Sequence, residues 1–396
     1  MLFEQPDPTE RFRERREAAR RRRRRHKAAL ALLVLGAVAA LALGAQRFQG
    51  GGLTPPAAKQ GRTPPQSQPW AVPQPRTLPT EVRGVHVTMA LASVRGKLDE
   101  YLSLTSEGLN TIQLDVKDEN GEIGFVPSAV PLAIKIGAAR PYYKPREAVA
   151  AVHAAGAYLI GRIVVFEDPK LSSARPDLAI QRADGSVWTT SGGLGWTNPY
   201  DKRVWEYNVS VAEVAARMGF DEIQFDYVRF PSDGSIGNAV YPGKTSTAPG
   251  WVIAQFVQFA SKRLKPLGVR VSVDVFGLSA TRDLGIGQVP RRLARYVDAI
   301  YPMTYPSHYG AGEYGIDNPN AAPGETVFMS LAHFRRELRG RDTKLIPWIQ
   351  DFSLGRPYTL SEVKAQIESA RLHDVKGYLL WNAVGVYTPG ALAPQG

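Results

Sequence analysis

The stretch GFDEIQFDYVRFPSDG, residues 219–234, joins the end of a predicted helix to a predicted strand and to the loop that follows it. Residues 202–218 repeat apolar side chains at helical spacing, and Gly219 suits the left-handed position that commonly ends a helix. Residues 222–231 are rich in Ile, Phe, Tyr and Val, which predicts a strand. The stretch therefore contains one complete connection from helix to strand.

The strand in this stretch carries its polar side chains on one face. Successive residues of a strand point to opposite faces, so Gln224 and Asp226 share one face and the apolar residues that alternate with them share the other. The run at 270–277 repeats the pattern, with Ser272 and Asp274 on its polar face. We expect these polar faces to point towards a common site.

The alternation of strand and helix continues through residues 82–396. The predicted strands are residues 84–88, 111–118, 158–168, 222–231, 270–277, 299–305, 344–352 and 377–382. The predicted helices are residues 97–107, 146–155, 202–218, 251–267, 290–296, 325–338 and 360–373. Glycine follows five of these helices, at positions 108, 156, 219, 268 and 340.

Eight strands with seven clear crossover helices predict an α/β fold, the (β/α)8 TIM barrel, over residues 82–396. A doubly wound open sheet is the alternative, but it normally has fewer strands, and no glycine-rich phosphate turn follows the first strand. The segment after residue 382 is short and contains Pro and Gly. We therefore expect the eighth helix to be missing or replaced by an irregular tail.

The positive charge of the chain is concentrated at its beginning. The formal net charge is +12, and residues 1–27 contain ten Arg and one Lys against five acidic residues. The rest of the chain is only mildly basic, which argues against a nucleic-acid partner. There is no cysteine, which excludes disulfides, thiolate metal sites and cysteine nucleophiles.

The basic segment is followed by a predicted membrane anchor. Residues 28–45 carry no charge and are rich in Leu, Val and Ala, close to the length that spans a bilayer. The arginine run at 20–25 predicts that residues 1–27 stay in the cytoplasm and that the barrel lies outside it. Residues 46–81 are proline-rich and predict an extended linker. Cleavage as a signal peptide is the alternative, and it would release the barrel.

Polar and aromatic side chains gather near the predicted carboxyl ends of the strands, where such barrels place their active sites. Two carboxyl groups that flank a glycosidic bond can act as an acid and as a nucleophile or base, and aromatic rings offer platforms for sugar rings. The candidate catalytic residues are Asp226, Asp274, Asp351 and Glu167. The candidate substrate-binding residues are Asp115, Lys117, Arg162, Asp168, Gln224, Arg229, Tyr301, Tyr305, His308, Trp348, Gln350, Trp381 and Asn382.

No cofactor or metal site is expected. The six histidines are scattered without an HExxH or HxH arrangement, and the sequence has no P-loop, dinucleotide fingerprint or GxSxG elbow.

The loop after the third predicted strand contains Trp188 and Trp196, and the loop after the fourth is rich in Gly, Ser and Thr. Loops of this length predict a long, shaped cleft.

The stretch at 219–234 and the preceding WTNPYDKRVWEY (196–207) resemble a family of glycosyl-hydrolase-like domains. The same resemblance includes GRIVVFEDP (161–169), AIYPMTYPSHY (299–309), PWIQDF (347–352) and GYLLWNA (377–383). It implies a glycoside-hydrolase barrel with a catalytic Asp at the end of strand four, which is Asp226 here. A more distant resemblance is to chitinase-type barrels, but Val228 stands where their pattern places a catalytic Glu.

The sequence thus predicts hydrolysis of an extracytoplasmic polysaccharide. Asp226 would be the nucleophile or the base that activates water, and the acid would be Asp274 first, with Asp351 or Glu167 as alternatives. The separation of the two carboxyl groups would decide between retention and inversion. Two other classes remain open: a non-catalytic barrel that binds glycans, which Val228 favours, and a sugar lyase or transglycosylase.

Overall fold

The computed structural model of the protein describes residues 74–394. The predicted cytoplasmic segment, the predicted anchor and most of the predicted linker lie outside these residues. Within the described part of the chain, no helix is both long and apolar enough to cross a membrane.

Eight strand positions form a closed parallel barrel. The strands are β1 (Val82–Val87), β2 (Thr111–Lys117), β3 (Tyr158–Val164), β4 (Glu222–Asp226), β5 (Arg270–Phe276), β6 (Ala299–Met303), β7 (the two segments Lys344–Leu345 and Trp348–Gln350) and β8 (Gly377–Trp381). Each strand pairs with its neighbours in the chain, and β8 pairs with β1. This closure confirms the barrel and excludes the open sheet.

Helices connect the strands and cover the outside of the barrel. They are α1 (Met89–Ala92), α2 (Lys97–Ser103), α3 (Pro131–Lys135), α4 (Pro145–Ala154), α5 (Pro169–Ala174), α6 (Lys202–Met218), α7 (Pro249–Leu264), α8 (Pro290–Leu293), α9 (Pro323–Glu337) and α10 (Leu360–Leu372). The glycines at 108, 156, 219, 268 and 340 all have positive φ, as predicted.

Several strands end earlier than predicted. The seventh is interrupted between Leu345 and Trp348, where Pro347 has no N–H to donate to a ladder. The third ends at Val164, so Glu167 and Asp168 belong to the loop rather than to the barrel wall. The ends of strands and helices depend on tertiary contacts, which a local pattern does not include.

The barrel interior is filled by side chains that alternate with those facing the helices. One buried apolar cluster lies inside the barrel and includes Tyr158, Ile160, Tyr301, Trp348 and Leu379. A larger cluster lies between the strands and the helices. In β4 and β5 the polar residues therefore face the interior of the barrel and the apolar residues that alternate with them face the helices, as predicted.

An irregular tail takes the place of the eighth helix. No helix occurs between β8 and residue 394, where the description of the chain ends. The Tyr387 hydroxyl donates to the backbone oxygen of His86 at 2.5 Å, and the Tyr378 hydroxyl donates to that of Ala391 at 2.6 Å. The tail therefore packs along the seam between β8 and β1, as expected from the short sequence after residue 382.

Candidate active site

A buried arginine organises the carboxyl end of the barrel, which we call the mouth. Arg162 projects from β3, and its Nε and Nη2 donate to Oδ2 of Asp226 at 2.9 and 2.7 Å. Its Nη1 donates to Oδ1 of Asp115 at 2.7 Å and lies 3.7 Å from Oε2 of Glu119. One guanidinium therefore holds carboxylates from two strands and the loop after β2 through charge-assisted contacts.

Asp226 is fixed from its other side by its own backbone. The Tyr227 N–H donates to Oδ1 of Asp226 at 2.6 Å, and Tyr227 has a φ of +48°. This left-handed conformation is unfavourable for a tyrosine and is often found where a functional group must be aimed. Asp226 is nearly buried, with 7% of its surface exposed at the mouth.

An aromatic cage around Arg229 supports this turn. The Arg229 guanidinium lies 5.0 Å from the ring centres of Trp196 and Tyr227 and 4.7 Å from that of Phe276. Its Nη1 also donates to the backbone oxygen of Phe230 at 3.0 Å. Arg229 was predicted to bind substrate, and the structure instead buries it as a support for the turn beside Asp226.

Asp274 occupies a different environment in the same mouth. It projects from β5 and accepts a hydrogen bond of 2.6 Å from Nε1 of Trp348. Burial raises the pKa of its carboxyl well above the ordinary value, and the nearby charge of Asp226 raises it further. The Trp348 hydrogen bond and Arg162 act in the opposite direction but do not outweigh burial. Asp274 therefore favours its protonated form more strongly than an ordinary carboxyl group does, in the same mouth as a carboxylate that is paired with an arginine.

Aromatic side chains border the two carboxyl groups. Trp348 and Trp381 meet edge to face with ring centres 5.8 Å apart. Burial raises the pKa of Tyr305 well above 10, and Asp274 and Asp226 raise it further, so its hydroxyl stays protonated next to them. The ring of His308 packs against the ring of Tyr305, with ring centres 5.4 Å apart. These four predicted binding residues are at the mouth.

A histidine on β1 completes the mouth and was not among the sequence candidates. His86 stacks on Trp381 with ring centres 4.6 Å apart, and its Nδ1 lies 2.5 Å from Oε1 of Gln113. Its buried Nε2 has no hydrogen-bond partner among residues 74–394 and lies 3.8 Å from Oδ2 of Asp115. Burial lowers the pKa of His86, so the ring is neutral at pH 7. No sequence pattern marks His86, because it is the single polar residue on the inner face of β1.

Two further acidic residues were also missed. Glu119 lies beside Arg162 in the loop after β2. Glu222 is the first residue of β4 and is fully buried lower in the barrel, where it accepts hydrogen bonds from Ser272 and Tyr158 at 2.5 and 3.0 Å. Burial raises the pKa of Glu222. Since Glu222 shares the polar face of Gln224 and Asp226, strand alternation could have identified it.

Some predicted binding residues form the floor of the site instead. Gln224 is fully buried and accepts a hydrogen bond from Gln113 across the barrel. Tyr301 is fully buried deeper in the interior, where burial and the charge of Glu222 raise its pKa. Gln350 is also buried, accepting from the Ser307 N–H and donating to the Phe352 oxygen at 3.0 Å each. The structure gives these three residues packing and positioning contacts.

Asp351 and Asn382 fasten the tail. Asp351 accepts from the N–H and the hydroxyl of Thr388 at 2.8 and 2.5 Å. Burial raises its pKa, and these two hydrogen bonds oppose the rise. Asn382 donates to the Asp351 backbone oxygen at 2.5 Å. The Asp351 carboxyl thus binds the tail, whereas the Asp274 carboxyl accepts from Trp348 and has its pKa raised by the charge of Asp226.

The structure does not bring Lys117, Asp168 and Glu167 to the mouth. Lys117 and Asp168 form a fully buried ion pair of 2.8 Å, and Lys117 also donates to Asn208 of α6 at 3.0 Å. Asp168 caps α5 through the Leu171 N–H. Glu167 is fully buried in the loop after β3, where its backbone bridges to residue 196.

The geometry of β2 and β3 explains why these three side chains lie away from the mouth. The register between β2 and β3 shifts between Asp115 and Lys117, and such a bulge redirects the side chains that follow it. The end of β3 at Val164 removes residues 167 and 168 from the wall. The loop tryptophans Trp188 and Trp196 are likewise buried in loop packing rather than presented in a cleft.

The fold and the mouth together define a glycoside-hydrolase-like (β/α)8 barrel, with acidic side chains and aromatic rings at the carboxyl ends of the strands. The chain belongs to the family described as "Putative glycosyl hydrolase domain", whose model matches residues 84–387. Among residues 74–394, no group of three or more His, Asp or Glu side chains is arranged to hold a metal ion.

A solved glycoside hydrolase domain has the same fold. The glycoside hydrolase domain of PgaB (BpsB) from Bordetella bronchiseptica is 12% identical, with a TM-score of 0.57 over 77% of this chain and 94% of that one. A hypothetical protein from Ruminiclostridium thermocellum ATCC 27405 is 33% identical over 48% of this chain and 97% of that one, with a TM-score of 0.44. A search of curated protein sequences finds no match.

Replacement of Lys117 by Met is expected to lower the free energy of unfolding by about 3–5 kcal/mol, because Asp168 would be left buried without its partner. Urea denaturation measures this change. The control is Lys144→Met: Lys144 is 77% exposed and paired with Glu147, so its loss should change stability by less than about 1 kcal/mol. Equal, small effects of both substitutions would contradict the structural role of Lys117.

Proposed function

We propose that this chain is a glycoside hydrolase of an extracytoplasmic polysaccharide, with Asp226 and Asp274 as its reacting carboxyl groups. The observation that carries the proposal is the difference between their environments. Arg162 donates two hydrogen bonds to Asp226, whereas burial raises the pKa of Asp274 well above its ordinary value. Two carboxyl groups in such different surroundings are suited to separate roles as acid and as nucleophile or base.

In this mechanism Asp274 donates its proton to the glycosidic oxygen as the bond to the leaving sugar breaks. Asp226 either attacks the anomeric carbon or takes a proton from the water that attacks it. Arg162 and the Tyr227 N–H orient Asp226 for either role. Trp348 holds Asp274 in place through its indole N–H.

The surrounding side chains suit a sugar ring. Trp381 is half-buried at the mouth, and the protonated Tyr305 hydroxyl is available near both carboxyl groups. Asp115 and His86 lie on the other side of Arg162 and could accept hydrogen bonds from sugar hydroxyls. The similarity in fold to the glycoside hydrolase domain from Bordetella bronchiseptica is consistent with such a substrate class.

A non-catalytic barrel that binds glycans is the second candidate. Val228 occupies the position where chitinase-type barrels have their catalytic Glu, and it is fully buried and apolar. A barrel of this kind would bind sugars at the aromatic mouth without hydrolysing them, and Asp226→Asn would leave glycan binding unchanged.

We also propose that the barrel lies outside the cytoplasm and is tethered by residues 28–45. The support is the sequence itself: six consecutive arginines precede an uncharged apolar run, and a proline-rich linker follows. External protease added to intact cells that express the chain should remove the barrel, and the mass of the mature protein should equal that of the uncut chain. A barrel that is protected until the cells are lysed would exclude this location.

Replacement of Asp226 or Asp274 by Asn is expected to reduce hydrolysis at least about 1,000-fold, or roughly 4 kcal/mol in the barrier. The assay follows release of reducing ends from a panel of bacterial surface and cell-wall polysaccharides. Asp351→Asn is the matched control, since Asp351 binds the tail, and it should retain activity within about tenfold. Glycan binding without hydrolysis by any form, including the unaltered protein, would favour the non-catalytic barrel.

The pH dependence of hydrolysis should identify Asp274 as the acid. The acid must be protonated, so activity should fall as pH rises through the pKa of Asp274, which is raised in the folded protein. The Trp348 hydrogen bond stabilises the charged form of Asp274, so Trp348→Phe should raise the pKa of Asp274 further. The alkaline limb of the pH–activity profile should then move to higher pH. A limb that stays in place or moves to lower pH in this variant would assign the acid role to another group.

A further inference from the structure

A basic cavity lies at the end of the barrel opposite the mouth. Its volume is about 1320 Å³, and its wall includes residues 77–80, the start of β7 and the turns that follow α9 and α10. Seven of the lining residues are Arg or Lys and two are Asp. The proposed hydrolytic chemistry at the mouth gives no role to this cavity.

The cations of the cavity are poorly neutralised by the protein. Arg335, Arg339, Arg341 and Lys344 have no Asp or Glu oxygen within salt-bridge distance in the described part of the chain. Exposed arginines at a helix end are common because they complement the helix dipole, which would explain Arg335 alone. It does not explain residues 339–344, which follow the helix and face the same concave space.

Arg270 links this cavity to the barrel interior. Its Nη2 donates to the Asp298 backbone oxygen at 3.2 Å, but its buried Nε has no hydrogen-bond partner. The nearest acidic oxygen is Oε2 of Glu222 at 3.8 Å. A buried guanidinium donor without a partner is costly, and an anionic oxygen that entered the cavity would relieve this cost.

We propose that this cavity is a phosphate-binding site. Five of its seven cations are arginines, whose planar donor groups match phosphate oxygens two at a time. The volume exceeds that of a typical pocket for a drug-sized molecule, which leaves space for more than one phosphate group. The ligand is a phosphate-bearing anion, and its source is either a soluble phosphate compound or an anionic lipid headgroup.

The test uses the full chain in neutral detergent micelles and measures pyrophosphate binding by titration calorimetry. Binding should be weakened by added salt and should fall roughly 100-fold in the triple variant Arg335→Gln, Arg339→Gln, Arg341→Gln, since each arginine contributes a factor of roughly five near a phosphate surface. The matched control replaces Arg95, Arg146 and Arg217, exposed arginines outside the cavity, with Gln, and should bind as the unaltered protein does.

A second arm distinguishes the source of the phosphate. Hydrogen–deuterium exchange at residues 77–80 and 339–344 is followed as phosphatidylglycerol or phosphatidylcholine is added to the micelles. Protection by phosphatidylglycerol alone, lost in the triple variant, assigns lipid headgroups, whereas pyrophosphate binding without this protection assigns a soluble ligand. Absence of both effects, or pyrophosphate binding that the triple variant retains, would overturn the proposal. Hydrolysis at the mouth is measured separately, so either proposal can fail alone.

Discussion

The arrangement of the mouth depends on the burial of one guanidinium. Arg162 is 4% exposed, and removing its charge from water would be unfavourable without compensation. Asp226 and Asp115 supply that compensation from the strands on either side, and Glu119 adds a third negative charge from the loop. The alternation of β2, β3 and β4 must therefore place these side chains at one level, which ties the barrel's register to the geometry of the site.

This constraint separates the two proposed reacting groups. Asp226 accepts its hydrogen bonds from a cation and from a backbone N–H, while the Asp274 carboxyl accepts from the neutral indole of Trp348. The supports of Asp226 extend outward through the left-handed Tyr227 to the aromatic cage of Arg229. Tyr227 and Arg229 thus hold Asp226 in position, although Arg229 itself is buried away from the mouth.

The sequence pattern predicted the barrel and much of the mouth because both follow from strand alternation. Asp115, Arg162, Asp226 and Asp274 alternate with apolar residues, and the structure brings them together. Lys117 was misassigned, since the register shift just before it is a tertiary feature with no local signature. The same limit applies to Glu167 and Asp168, because the end of β3 at Val164 is set by tertiary contacts.

His86 and Glu222 were missed for different reasons. β1 contains a single polar residue on its inner face, too few to show a period, so His86 had no pattern around it. Glu222 begins β4 at the end opposite the mouth, whereas the candidate residues were taken from the carboxyl ends of the predicted strands. Burial and partner identity decide the role of such residues, and both arise only when the barrel closes.

The path of the irregular tail determines what can be attached to this barrel. Arg76 donates to the backbone oxygens of His153 and Gly156, near the starts of the strands, and residue 392 approaches Gly108 at the same end. The first and last described parts of the chain therefore both leave the barrel at its rear. A fluorescent protein or affinity tag fused next to either of these segments would lie at the end of the barrel opposite the mouth. A long polymer could then cross the mouth in either direction without contacting the fused domain.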